Sequence, residues 1–162
     1  MNRLVLHLDL GSPEAWPCFL RLPEALAGLP CWVEVCPVLP AQEAVAPVGP
    51  IGQLWRHALA CGEPGALLNR WLAEQLLRAV WDDAAPQGRP LPEALAWLTA
   101  RLTPVRDPES AEVAEDWARL VAQSQRLGIG TTPTVHWPAE DSLWEGQAAL
   151  APLAQALRQR GG

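Results

Sequence analysis

The sequence predicts an α/β fold in which one sheet is combined with an inserted block of helices. Two observations lead to this prediction. Strand-like apolar patterns lie near both ends of the chain, over 4–10, 31–38, 132–137 and 142–144. Between residues 51 and 128 the apolar residues repeat instead with the period of a helix. We therefore expect residues 1–38 and 131–160 to form a mixed four-stranded sheet, and residues 51–128 to form an all-helical insertion.

The first strand and the helix after it have clear local signals. Leucine occupies every second position of 4–10, as expected for a central strand. Gly11-Ser12-Pro13 then ends the strand. Ser12 is a preferred N-cap residue, and Pro13 suits the first helical position, where the missing amide costs nothing. We expect the helix to begin there, with Pro17 kinking or delaying its first turn.

The remaining elements follow from breaks in the pattern. Segments containing glycine or proline at 62–65, 86–90 and 103–108 divide the insertion. The four helices predicted between these breaks are about 51–61, 65–84, 91–102 and 108–127. In the second of them, Trp71, Leu72 and Leu76 share an apolar face and are expected in the core. The strand at 31–38 should run parallel to the first strand, the strand at 132–137 antiparallel to it, and a helix over 147–158 should end the fold.

Composition excludes several classes of function. The net charge is −6, and the twelve basic residues are all arginines without a clustered stripe, which argues against nucleic acid as a partner. The absence of lysine excludes Schiff-base and P-loop chemistry. No segment approaches the roughly 18 uninterrupted apolar residues of a membrane span, and the N-terminus lacks a signal-peptide pattern. We expect one cytoplasmic domain over 1–162, with no membrane partner.

The cysteines and histidines do not form a recognisable metal or redox motif. The four cysteines are Cys18, Cys31, Cys36 and Cys61. Because no two of them form a Cys-x-x-Cys pair, the zinc-ribbon and dithiol motifs are both lacking. We expect these residues to be buried free thiols. His7 and His136 fall on strands expected to be neighbours, but two histidines without a third ligand do not make a metal site, so no metal is predicted.

Two motifs carry a resemblance to a known family. Asp9-Leu-Gly-Ser-Pro13 ends the first strand, and Gly128-Ile-Gly-Thr-Thr-Pro-Thr-Val135 leads into a later one. With the element order, these motifs resemble the DsbA-like branch of the thioredoxin superfamily, and within it the group of 2-hydroxychromene-2-carboxylate isomerases and kappa-class glutathione transferases. The motifs cover about 9–16 and 128–150, and the element order covers nearly the whole chain. The resemblance implies a thioredoxin-like fold, a cis-proline at Pro133 and homodimerisation, which is common in the group.

The resemblance also implies a thiol chemistry. In this group the serine corresponding to Ser12 donates a hydrogen bond to the sulfur of glutathione and stabilises its thiolate. A helix N-terminus supports this role through its unpaired amides and partial positive charge. The backbone of Thr132, before Pro133, would hold the cysteinyl part of the tripeptide, with Pro13 beside it. Trp16 and Trp144 are expected near the mouth of the same pocket, where one would stack on the ligand.

The sequence departs from the family pattern at two places. Glu14 follows Ser-Pro, where the family commonly has an aromatic residue, and its carboxylate would repel a thiolate. Gly146-Gln147-Ala148-Ala149 stands where the family has Gly-x-Asp-Arg, so the charged partner of the γ-glutamyl amine is missing. Losing that charge-assisted bond removes about 1.5–3 kcal/mol. We keep Gln147 as a candidate substrate-binding residue.

Three functions remain open at this point. The first is binding of a thiol such as glutathione for transfer or isomerisation. The second is a degenerate, non-catalytic thioredoxin domain that binds a peptide or a protein partner in the same groove. Thiol-disulfide oxidoreductase activity comes third, because a Cys-x-x-Cys pair is missing. Ser12 also has a purely structural interpretation as an N-cap. Asp9 is either a cap of the following turn, which we place first, or a proton relay.

Overall fold

The computed structural model of the protein describes residues 1–39 and 49–161. Its strands are β1 (Asn2–Leu8), β2 (Cys31–Pro37), β3 (Leu68–Asn69), β4 (Thr134–Trp137) and β5 (Ser142–Glu145). Its helices are α1 (Ala15–Ala25), α2 (Pro50–Cys61), α3 (Arg70–Val80), α4 (Leu91–Arg101), α5 (Ala111–Arg126) and α6 (Leu150–Arg160). The strands form one mixed sheet in the order β3-β2-β1-β4-β5. The predicted fold class, an α/β sheet with a helical insertion, is confirmed.

The strand β1 lies at the centre of the sheet, as its leucine pattern predicts. It runs parallel to β2, with His7 opposite Cys36. On its other side it runs antiparallel to β4, with His7 opposite Thr134. Leu4, Leu6 and Leu8 are buried, so the alternating leucines do face the core. Both predicted pairings of β1 are therefore confirmed.

The sheet has five strands, and the prediction of four was wrong. The additional strand, β3, lies inside the segment 65–84 that was expected to be helical throughout. The side chain of Asn69 accepts a 2.9 Å hydrogen bond from the amide of Leu72 and caps α3, so that helix begins only at Arg70. The buried residue Leu68 is then free to pair with Val35 at the edge of the sheet.

Two local predictions about helices also need correction. Trp71 is 59% exposed, whereas Leu72 and Leu76 are buried, because the apolar stripe of α3 passes beside position 71. At the start of α1, the N-cap residue is Glu14 rather than Ser12, and the helix begins at Ala15. Pro13 therefore lies in the turn before the helix and not at its first position.

The helical insertion and the sheet share one hydrophobic core. Buried leucines of β1 belong to the same packed cluster as Trp55 of α2 and Leu98 of α4. A polar chain also crosses this interface: the imidazole of His7 is 2.7 Å from the Ser124 hydroxyl, which donates to the carbonyl of Pro37 at 2.8 Å. The insertion is thus attached directly to β1 and β2. Among the described residues, no helix has the length and apolarity needed to cross a membrane.

Candidate functional site

The turn between β1 and α1 is closed by Asp9 and carries Ser12. One carboxylate oxygen of Asp9 accepts the amide of Gly11 at 2.9 Å, and its carbonyl accepts the amide of Ser12 at 3.0 Å. The carbonyl of Ser12 in turn accepts the amide of Ala15 at 3.1 Å. Asp9 therefore caps the turn, as its preferred interpretation predicts. Burial raises the pKa of this carboxyl group, which is compatible with the proton-relay role that stays a prediction.

The hydroxyl of Ser12 has a proton that is available for donation. Its oxygen accepts a long, 3.4 Å hydrogen bond from the amide of Glu14, and among the described residues it has no acceptor for its own proton. The side chain is half-buried. Glu14 is exposed and its carboxylate makes no capping hydrogen bond to α1, so it does not occupy the helix amides. Ser12 can consequently donate to a group bound in front of this turn.

The segment before β4 lies at the same end of the sheet. The Thr132–Pro133 peptide bond is cis. Since Thr134 pairs with His7 in an antiparallel ladder, the preceding residues extend past the carboxyl end of β1, where the Ser12 turn begins. The carbonyl of Pro133 accepts the amide of Gly146 at 2.8 Å, whereas in the described part of the chain the backbone of Thr132 has no hydrogen-bond partner. Contact between Ser12 and Pro133 stays a prediction.

Trp16 lies one turn after Ser12 but already has neighbours. Its ring stacks against Phe19 with centroids 6.1 Å apart. The guanidinium of Arg78, from α3, lies 5.4 Å from the centroid of the Trp16 ring. The side chain is half-buried, so a ligand would meet its remaining edge together with a positive charge. Nothing in the sequence indicates that the guanidinium of Arg78 lies beside Trp16.

Trp144 and Gln147 are placed in other clefts. Trp144 donates from Nε1 to the Ser142 hydroxyl at 3.0 Å and lines a cleft of about 390 Å³ against the last turns of α6. Gln147 borders a groove of about 320 Å³ between α1 and α6, with Arg21 and Arg158. The structure therefore does not assemble Trp16, Trp144 and Gln147 around one pocket. Their roles toward a ligand of the Ser12 turn stay predictions.

The four cysteines are free, and burial raises the pKa of every one of them. Cys18 and Cys36 are buried, and the pKa of each thiol is raised to about 11. Cys31 and Cys61 are half-buried, with pKa values that desolvation also raises. Because Cys18, in α1, is buried and the pKa of its thiol is raised, little of it is present as the reactive thiolate. In the described residues no cysteine occupies the position in front of α1.

His7 and His136 are neighbours, as their strands predict. Their ring centroids are 6.2 Å apart. Burial, and secondly the proximity of His136, lowers the pKa of His7 to about 4, while burial also lowers the pKa of His136. No group of three histidine, cysteine or acidic side chains suited to a metal ion occurs within 1–39 and 49–161.

Trp81 also contributes to this region, and nothing in the sequence predicts that it does. Trp81 follows α3, and its indole Nε1 donates a 2.9 Å hydrogen bond to the carbonyl of Leu10 in the β1–α1 turn. The two residues are 71 positions apart in the chain, so no local pattern could have indicated the contact.

Comparison with known proteins supports the fold. No protein-family model matches the chain, and no curated protein matches it. Its structure is similar to the crystal structure of a Pseudomonas syringae protein provisionally assigned as a protein-disulfide isomerase, with a TM-score of 0.64 and 14% sequence identity. The match covers 96% of this chain and 93% of that chain. The chain therefore shares its overall fold with that protein, in agreement with the predicted thioredoxin-like fold with a helical insertion.

Proposed function

We propose that the protein binds a small thiol such as glutathione in front of the β1–α1 turn and uses its sulfur for transfer or isomerisation. The observation that carries this proposal is the Ser12 hydroxyl, which is half-buried, fixed by its turn and has a proton to donate. On deprotonation of the thiol, the thiol proton passes to solvent and the Ser12 hydroxyl donates to the sulfur anion. A hydrogen bond that is stronger to the anion than to the neutral thiol favours the reactive form.

The backbone of Thr132 supports the same proposal. Its amide and carbonyl have no hydrogen-bond partner among the described residues. An extended backbone edge of this kind can hold a peptide-like ligand through main-chain hydrogen bonds. Glutathione contains such peptide groups on both sides of its cysteinyl residue, so a thiol held by Thr132 would present its sulfur toward the end of β1.

Thiol binding is tested by calorimetry with glutathione on the wild type and on Ser12→Ala. We expect the substitution to weaken binding by about tenfold, because hydrogen bonds to charged groups contribute roughly 1.5–3 kcal/mol and the bound thiol is only partly ionised. The free energy of unfolding should change by less than about 1 kcal/mol, since the hydroxyl accepts only one long bond. Equal affinity in the two proteins would remove Ser12 from the proposal.

A second candidate function is a non-catalytic module that binds a peptide or protein partner. Glu14 favours it, because this exposed carboxylate stands at the start of α1 and would repel an anionic sulfur. The variant Glu14→Tyr separates the two candidates. It should strengthen glutathione binding if the site is a weakened glutathione site, and have no effect if the groove serves a protein partner. If neither protein gives a heat signal at millimolar glutathione, the transferase function is excluded and the binding module is retained.

Thiol-disulfide oxidoreductase activity is the third candidate. It requires a reactive thiolate, usually paired with a second cysteine that stores the other electron. Burial raises the pKa of Cys18 and Cys36 to about 11, and Ser12 holds the place before α1. An insulin-reduction assay with dithiothreitol should therefore proceed at the uncatalysed rate.

A further inference from the structure

The helical insertion contacts the β1–α1 turn through Trp81. The indole Nε1 of Trp81 donates to the carbonyl of Leu10 at 2.9 Å. Leu10 is fully buried and lies two residues before Ser12. Without the indole, this carbonyl would have to find another donor or shift toward water, because an unsatisfied buried acceptor is costly. The position of the turn is therefore coupled to the position of Trp81.

The indole of Trp81 is itself held in place. Gly88 has a φ of +85°, and a Cβ added there would lie 3.0 Å from Cζ3 and 3.2 Å from Cη2 of the Trp81 ring. The backbone of Arg89 donates to the carbonyl of Val80 at 2.6 Å. The guanidinium of Arg89 forms an ion pair with Asp82 at 3.0 Å. These contacts fold the segment 81–89 back on the end of α3 and leave the indole little freedom.

A second contact connects the same end of α3 to α1. The guanidinium of Arg78 lies over the ring of Trp16, 5.4 Å from its centroid. The carbonyl of Arg78 accepts a 2.9 Å hydrogen bond from the guanidinium of Arg89. Arg89 thus supports both contacts, one through Arg78 and one through the segment that holds Trp81. The C-terminal end of α3 and the segment after it thus contact both the turn that carries Ser12 and the first turn of α1.

We propose that Trp81 is a positioning residue, which fixes the carbonyl of Leu10 and thereby directs the Ser12 hydroxyl toward the bound thiol. This inference rests on the proposed function. The connection between Leu10 and Ser12 is short: the carboxylate and carbonyl of Asp9 bind the amides of Gly11 and Ser12, so a shift of Leu10 alters both bonds. The helical insertion then sets the geometry of a site that is built on the sheet.

The test uses Trp81→Phe, which keeps an aromatic ring and removes the indole N–H. The control is Trp55→Phe, which removes a buried indole N–H that has no hydrogen-bond partner among the described residues. Amide hydrogen exchange is measured on the ligand-free proteins at Gly11 and Ser12, relative to Leu6 in the central strand. Glutathione affinity is then measured by calorimetry on the same proteins.

We expect exchange at Gly11 and Ser12 to accelerate about 3- to 10-fold in Trp81→Phe, and the dissociation constant for glutathione to rise by a similar factor, as for the loss of one neutral hydrogen bond. Trp55→Phe should leave the exchange of Gly11 and Ser12 relative to Leu6, and the dissociation constant for glutathione, unchanged even if it lowers the melting temperature. Gly88→Ala retains the indole N–H but displaces the ring, and should reproduce the effects of Trp81→Phe.

Unchanged relative exchange in both Trp81→Phe and Gly88→Ala would overturn the inference. Faster exchange with wild-type glutathione affinity would also overturn it, because Trp81 would then support the turn without affecting the site. If the wild type itself fails to bind glutathione, the proposed function fails separately, and the exchange ratios still decide whether Trp81 holds the turn.

Discussion

Replacing His7 by asparagine should make the protein less sensitive to acid. The Ser124 hydroxyl donates its one proton to Pro37, so we assign the proton on the ring of His7 to Nδ1, which donates to Ser124 at 2.7 Å. The other nitrogen, Nε2, is buried and has no partner among the described residues. Protonation there would place a charge in the core beside His136, whose own surroundings include Asp141 and Arg3.

The size of the effect follows from linkage. Burial and then His136 lower the pKa of His7 from 6.5 to about 4 in the folded protein. Because the folded pKa is the lower one, the contribution to stability is fully present above pH 6.5 and is lost as the pH falls toward 4. At pH 5 the unfolded chain holds the proton and the folded chain does not. A pH of 5 is about 1.5 pH units below the unfolded pKa of 6.5, and each unit corresponds to about 1.36 kcal/mol. The unfolding free energy therefore falls by about 2 kcal/mol at pH 5.

Urea unfolding at pH 7 and pH 5 measures this loss. Asparagine can still donate to Ser124 but does not titrate, so the decrease in unfolding free energy between the two pH values should be smaller by about 2 kcal/mol in His7→Asn than in the wild type. Other titrating groups are common to both proteins and cancel in the difference. Equal decreases in the two proteins would refute the assignment of a buried neutral imidazole.

Two further predictions concern reactivity and stability. Cys18 and Cys36 should resist iodoacetamide in the native protein at pH 8, because burial raises the pKa of each thiol to about 11, and mass spectrometry after a short exposure checks this. Asp116→Ala should lower the unfolding free energy by about 3 kcal/mol, because it removes the buried carboxylate that pairs with Arg106 at 2.9 Å and accepts the amide of Gly65 at 3.1 Å, which leaves Arg106 only the exposed Glu112 as an ionic partner. Glu74→Ala, which removes an exposed ion pair within α3, should cost less than about 1 kcal/mol in the same urea titration.

The parts of the fold that could be predicted are those with strong local patterns. The alternating leucines of β1 and the helical period of α2 extend over whole elements, and both elements lie where expected. The strand β3 has two residues, and it exists because Val35 offers an edge and Asn69 caps the next helix. Neither condition changes the spacing of the apolar residues in the segment 65–84, where Leu68 fits a helical repeat equally well.

The candidate site likewise has features that the sequence predicts and contacts that it does not. The Asp9-to-Pro13 motif predicted the turn and its cap, and the register of β4 brings Pro133 to the same end of the sheet. The contacts of Trp81 and Arg78 were not predictable, because they join α3 to a turn that lies far away in the chain. Sequence motifs identify the groups that we propose to meet a ligand here, whereas the residues that hold these groups in place become visible only in the structure.

The first turn of α1 offers less to a sulfur anion than most helix N-termini do. Pro17 in this turn and Pro13 just before the helix have no amide hydrogen. The amide of Ala15 donates to the carbonyl of Ser12, and the amide of Glu14 donates to the Ser12 hydroxyl. A helix usually presents four unpaired amides at this end. In the proposed function, stabilisation of a thiolate at this place would therefore depend on the Ser12 hydroxyl more than on the helix, and Ser12→Ala tests the proposed chemistry more directly than any change in α1.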